Sequence, residues 1–265
     1  MSVRAAILTA LLCLVGSRLF SAEQQLQPVH GHCAIAPSTM PDRVRYEFTH
    51  GGCDNDVGDR DCHEQNSDVP VTEFTGLALA DFEREGARIE ARIVAEAGTI
   101  TCSGVIHDLA LTGDFTFLPD ASFVDRMAPL GFSGFDSGKL EAYTLFHIET
   151  SWIQALQSAG VRDMDSGNVI ALHIFKVTPD FVRSMAELGY AGLPAGKLIA
   201  FRVQGVNPDE VKKYRDLGYN PTTDELIQMR IFKVTPDFIE RMRGRGLSNL
   251  TIAKLVQIRI FNLAD

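Results

Sequence analysis

The residues densest in chemistry lie in CDNDVGDRDCHEQNSD, positions 53–68. Asp54, Asp56, Asp59 and Asp61 offer carboxylates at short intervals, and carboxylate oxygens are what a hard cation such as calcium takes. The match to a helix–loop–helix calcium loop is incomplete: Gly58 comes one position early, and Gln65 stands where a bidentate glutamate belongs. A solvated loop pinned by cysteines accounts for the same residues. A second set, His30, His32, Cys33, His50, Cys53, Cys62 and His63, holds the residue types that ligate zinc, without a paired Cys-x-x-Cys framework. His63-Glu64 opens like a zinc-protease helix, but HEQNS lacks the second histidine. Gly131-Phe132-Ser133-Gly134 does not have the glycine pattern of a nucleophile elbow. His147 and His173 recur about one repeat apart and read as structural, as does Trp152 at an aromatic repeat position. No acid, base and nucleophile converge. The chain therefore reads as a non-enzyme with no cofactor, and a hydrolase centred on Asp59, Asp61 and His63 is the weakest reading.

The cysteines depend on the compartment. The N-terminus MSVRAAILTALLCLVGSRLFSAEQQ has a basic start at Arg4, an apolar run over Ala5–Val15 and small residues after it, the pattern of a signal peptide over residues 1–22. Cleavage fits after Ser17 or Ala22. Without Cys13, the four cysteines Cys33, Cys53, Cys62 and Cys102 remain, and an oxidising compartment favours two disulfides. Three pairings are open. No later stretch is long and apolar enough to span a bilayer, so an exported, soluble mature chain, periplasmic or secreted, is expected.

Charge narrows the partners. The chain has 25 basic and 34 acidic residues, a net charge of −9. Nucleic-acid binding needs a basic footprint, so it is not expected. The excess is uneven: Pro208–Asp265 carries 10 basic and 8 acidic residues, leaving 13 and 26 for Glu23–Asn207.

The elements around these residues come from a repeat. The octapeptide IFKVTPDF occurs at Ile174–Phe181 and again at Ile231–Phe238. Gly131, Gly160, Gly189, Gly218 and Gly246 lie 29, 29, 29 and 28 residues apart, each ending a short amphipathic segment. Five units of 28–29 residues therefore fill 119–265, and such a period indicates a stacked array. Thr178-Pro179-Asp180, Asn207-Pro208-Asp209 and Thr235-Pro236-Asp237 set a capping oxygen, a first-turn proline and an acid in the order a helix start prefers. Second segments start near Asp136, Asp165, Pro194, Thr222 and Thr251. Their alternation, as in Ile227, Met229 and Ile231, resembles a strand, but the capping residues favour helix. Lys176, Arg202, Lys233 and Arg259 suit the negative ends of these second helices.

Residues 23–118 change period. Alternation at Val44–Phe48, Arg88–Ile93, Thr99–Ile106 and Gly113–Leu118 predicts about four strands, with a short helix over Leu77–Gly86. The expected class is α+β: a small antiparallel, disulfide-containing β domain followed by an α-helical hairpin solenoid.

The units VTPDFVRSMAELGY and VTPDFIERMRGRGL, each followed by a leucine-bearing segment, resemble the C-terminal extracytoplasmic extensions of antirepressor-type membrane metallopeptidases, relatives of beta-lactam sensors. Stand-alone exported bacterial proteins carry similar units. The likeness covers about Pro119 to Leu263, with a weaker echo in EAGTITCSG, and leaves out the peptidase part. It implies an exported bacterial sensing or binding module. The expected function is a non-enzymatic interaction module that binds a protein or peptide of the cell envelope through its repeats. The alternative is a cation or small-ligand sensor using loop 53–68.

Overall fold

A computed structural model describes residues 26–51 and 62–261. The expected signal peptide, Cys53 and the four calcium candidates Asp54, Asp56, Asp59 and Asp61 lie outside the described residues.

Among the described residues six strands come first: β1 (Val29–Pro37), β2 (Arg43–His50), β3 (His63–Pro70), β4 (Arg88–Ala95), β5 (Gly98–His107) and β6 (Ala110–Pro119). They form one antiparallel sheet in the order β3-β2-β1-β6-β5-β4. Two strands exceed the expected four. β1 hides behind a glycine and two histidines, and it is held by neighbours on both sides. β3 is HEQNSDVP, a polar edge strand with no alternation to read, so the C-terminal part of the supposed polar loop is sheet. The helix expected over Leu77–Gly86 is a 3₁₀ turn, Leu79–Glu83.

Cys33 on β1 is bonded to Cys102 on β5, although β6 lies between those strands. Their Cα atoms are 5.9 Å apart. Gly113 of β6 pairs with both Cys33 and Gly104, and a Cβ on either glycine would strike the opposing backbone. Only residues without a side chain allow that approach. Cys62 is also disulfide-bonded. A bridged Cys33 has no thiolate left for zinc.

Among the described residues ten helices follow: α1 (Ala121–Met127), α2 (Ser137–Leu145), α3 (Thr150–Ser158), α4 (Asn168–Ile174), α5 (Pro179–Glu187), α6 (Ala195–Val203), α7 (Pro208–Asp216), α8 (Thr223–Ile231), α9 (Pro236–Gly244) and α10 (Ile252–Ile260). The second segments are helices, so the strand reading of their alternation is overturned. From α3 onward each helix packs on the one two places on: α3 on α5, α5 on α7 and α7 on α9, beside α4 on α6, α6 on α8 and α8 on α10.

Local chemistry sets many of the boundaries. Thr178, Asn207 and Thr235 accept from the first-turn N–H groups as predicted, and Thr222 with Glu225 forms a complete capping box. The five repeat glycines all have positive φ, between 80° and 93°. At Gly218 the glycine N–H donates to Arg215 and the next N–H to Tyr214, the paired bonds of a Schellman stop. A Cβ there meets nothing within 4 Å. Gly218→Ala should therefore cost only the left-handed backbone term, about 1 kcal/mol by urea unfolding.

Two cores hold the chain together. The first lies under the sheet and continues into the first helical unit through Phe123, Phe135, Leu140 and Tyr143. The second runs along the later helices from Leu156 to Val256, and Trp152 packs against both. The α3 N-terminus is capped from the sheet side: Thr150 N–H and Oγ1 both donate to Glu96 Oε2.

Candidate functional site

The ends of the second helices carry a feature that folding does not explain. Ile174, Val203, Ile231 and Ile260 close α4, α6, α8 and α10, and they are 47%, 51%, 50% and 48% exposed. The next residue is Phe146 after α2, Phe175 after α4, Phe232 after α8 and Phe261 after α10. Because α4, α6, α8 and α10 stack in order, their equivalent ends line up as an apolar ribbon. Exposed apolar residues gathered along one side in this way mark interaction sites in soluble proteins.

The octapeptide divides sharply on this ribbon. Val177 and Phe181 are buried, Thr178 caps α5 and Pro179 opens it, so the fold accounts for those residues. Ile174, Phe175 and Lys176 are exposed. Lys176 and Lys233 hold φ of 54°, at the position where the third unit has Gly205 at 69°. Stability alone would favour glycine at these two places.

Behind the ribbon, cations lock one unit to the next. Arg202, Arg230 and Arg259 donate to the carbonyls of Phe175, Gln204 and Lys233 at the end of the preceding second helix. Arg202 lies over Phe181 and Arg259 over Phe238, at 5.1 and 4.1 Å from the ring centres. In the fourth unit Glu210 replaces the phenylalanine, and Arg230 Nη1 donates to it at 2.7 Å. Arg202 and Arg259 thus serve the preceding unit's helix end, a correction to the expectation that they answer their own. His173 holds the equivalent place in the second unit, its ring 5.1 Å from Trp152. His147, at φ 47°, instead matches Lys176 and Lys233, so the two histidines are not equivalents.

The ribbon starts at a cavity of about 220 Å³ between sheet and helices, lined by Tyr46, Glu73, Phe146, His147 and His173 among others. His147 Nε2 lies 2.9 Å from Glu73 Oε2. Burial, then His147, holds the His173 imidazole below its ordinary range. Beside this cavity Glu141 of α2 is buried, with Oε2 and Oε1 at 3.0 and 3.3 Å from His50 Nε2. The hydrogen-bond direction suits Oε1, which leaves Oε2 without a directed donor. Burial pushes the Glu141 carboxyl up to about 7. Burial, then His63, pulls His50 down. His50 and His63 face each other across β2 and β3 with rings stacked 5.2 Å apart.

Of the residues singled out in the sequence, Cys33 and Cys102 are brought together, and so are His50 and His63. His63 and Glu64 lie on strand β3 rather than on a helix. The Ser133 carbonyl accepts from Ser166, and Phe132 beside it is buried. Among the described residues, no three His, Cys, Asp or Glu side chains are grouped to hold a metal ion. Glu141 was missed despite a readable signal, since Ile170, Ile199, Ile227 and Val256 take its place in the other units. Comparison with family models, curated proteins and solved structures finds no match.

Proposed function

We propose that this protein is an exported, non-enzymatic interaction module, a helical-hairpin solenoid that binds a protein or peptide of the cell envelope along its second-helix ends. The observation that carries this reading is the apolar ribbon. Four successive units keep a branched aliphatic residue about half exposed at one equivalent position, where a polar residue would serve the fold equally well. Arrays tolerate variation on such surfaces because each unit's core is independent of it. The Cys33–Cys102 bridge supports an oxidising, extracytoplasmic setting. The likeness of the units to extracytoplasmic sensor extensions points the same way.

The ribbon variant Ile174→Ser, Val203→Ser, Ile231→Ser separates binding from folding. Half-exposed side chains contribute little to stability, so its melting temperature should stay within about 5 °C of the native protein. Affinity capture from envelope extract with the native chain from Glu23 to Asp265 should recover a partner that the variant loses. Recovery of the same partner, in the same yield, by both would remove the ribbon from the account.

A further inference from the structure

The ribbon is interrupted in the middle, and the interruption defines what fits it. Units one and two present Phe146, Ile174 and Phe175, and units four and five present Ile231, Ile260 and Phe261, with Phe232 half-buried against the core beside Ile231. The third unit offers only Val203, followed by Gln204 and Gly205. The same triplet, Ile-Phe-Lys, therefore stands at 174–176 and 231–233, its isoleucine and lysine exposed in both, with α6 packed between α4 and α8. Packed helices lie about 8–10 Å apart, so the two triplets are separated by roughly 16–20 Å. An extended chain advances about 3.3 Å per residue, and about six residues cover that distance.

Each triplet also ends in a cation. Lys176 and Lys233 are exposed and form no ion pair with any described residue. The nearest acids along the chain are Asp180, which pairs with Arg183, and Asp237. The triplets themselves hold no carboxylate, so a negative charge on a ligand beside each apolar group would meet an unpaired ammonium. Resting on the interaction reading above, we infer that the ribbon takes an extended acidic peptide segment with two apolar anchors about six residues apart, one seated on each Ile-Phe-Lys triplet. Two weak contacts joined in one ligand raise each other's effective concentration, which makes the spacing a specificity element.

The test uses labelled Gly/Ser peptides bearing two Phe-Glu pairs about three, about six or about nine residues apart, titrated by fluorescence anisotropy against the full native chain. The pair spaced by about six should bind roughly tenfold tighter than the other two, and Lys176→Glu with Lys233→Glu should lower that affinity at least roughly tenfold. Equal binding at all spacings, abolished by the ribbon variant, would overturn the two-anchor arrangement and leave the ribbon as a docking surface. Absence of binding by every peptide would overturn the peptide inference, while the envelope capture judges the interaction reading separately.

Discussion

Replacing both Cys33 and Cys102 with alanine should destabilise the protein by about 4 kcal/mol, the largest effect expected of any conservative change in the sheet. The bridge closes a sequence separation of 69 residues, and loop-closure entropy of the unfolded chain grows with the logarithm of that length. Both cysteines are buried in the core shared by the sheet and the first helical unit, so cutting the bond loosens the two together. For a chain of this size the melting temperature should fall by about 10 °C. Scanning calorimetry of native and double-alanine proteins measures it. A fall of only about 2 °C would mean that the sheet is held by packing alone.

The second large effect is a pH dependence set by Glu141. Its folded-state value of about 7 lies above the ordinary value of 4.5, because burial disfavours the charged form. The sign follows from proton counts. Below the unfolded-state value the carboxyl is protonated in both states and its favourable contribution is complete. As pH rises through about 7 the unfolded chain has already lost the proton, and the folded state must hold a buried charge, so that contribution is lost. The difference between the two values corresponds to about 3 kcal/mol. His50 works in the opposite direction, its lowered value costing stability as pH falls through the unfolded imidazole range. Glu141→Gln isolates the carboxyl. Relative to native, this variant should gain about 2–3 kcal/mol between pH 5 and pH 8 in urea unfolding. A native-minus-variant difference that does not change with pH would show that His50 keeps Glu141 ionised throughout, through their 3.0 Å contact.

The helical part was legible because each unit repeats its own punctuation. Thr-Pro-Asp and the five glycines mark starts and stops through capping oxygen, missing N–H and left-handed backbone, and the structure has each in its place. The strand-like alternation of the second segments misleads for a physical reason. Met229 is buried, Ile227 half-buried and Ile231 exposed, so an apolar residue on the ribbon adds a beat that packing does not supply. The ambiguity in the pattern was itself the trace of the candidate site.

The sheet was harder to read. β2, β4, β5 and β6 alternate and could be found. β3 is an edge strand whose side chains are polar along its first six residues, and its pairing with β2 comes from backbone bonds that leave no hydropathy signal. The Cys33–Cys102 pairing depends on close approach across β6 at Gly113, a long-range property that cysteine spacing does not encode. The Arg202, Arg230 and Arg259 locks were visible as charges at helix ends, but their acceptors are carbonyls about one unit away.

The claim that the second-helix ends are a binding surface is tested most directly by photo-crosslinking from the ribbon itself. A benzophenone side chain placed at Val203, between the two Ile-Phe-Lys triplets, should crosslink to the captured partner in intact envelopes. The same group at the exposed Glu187, which belongs to the first-helix end of its unit, should not. Equal crosslinking from both positions, or crosslinking from Glu187 alone, would contradict the account.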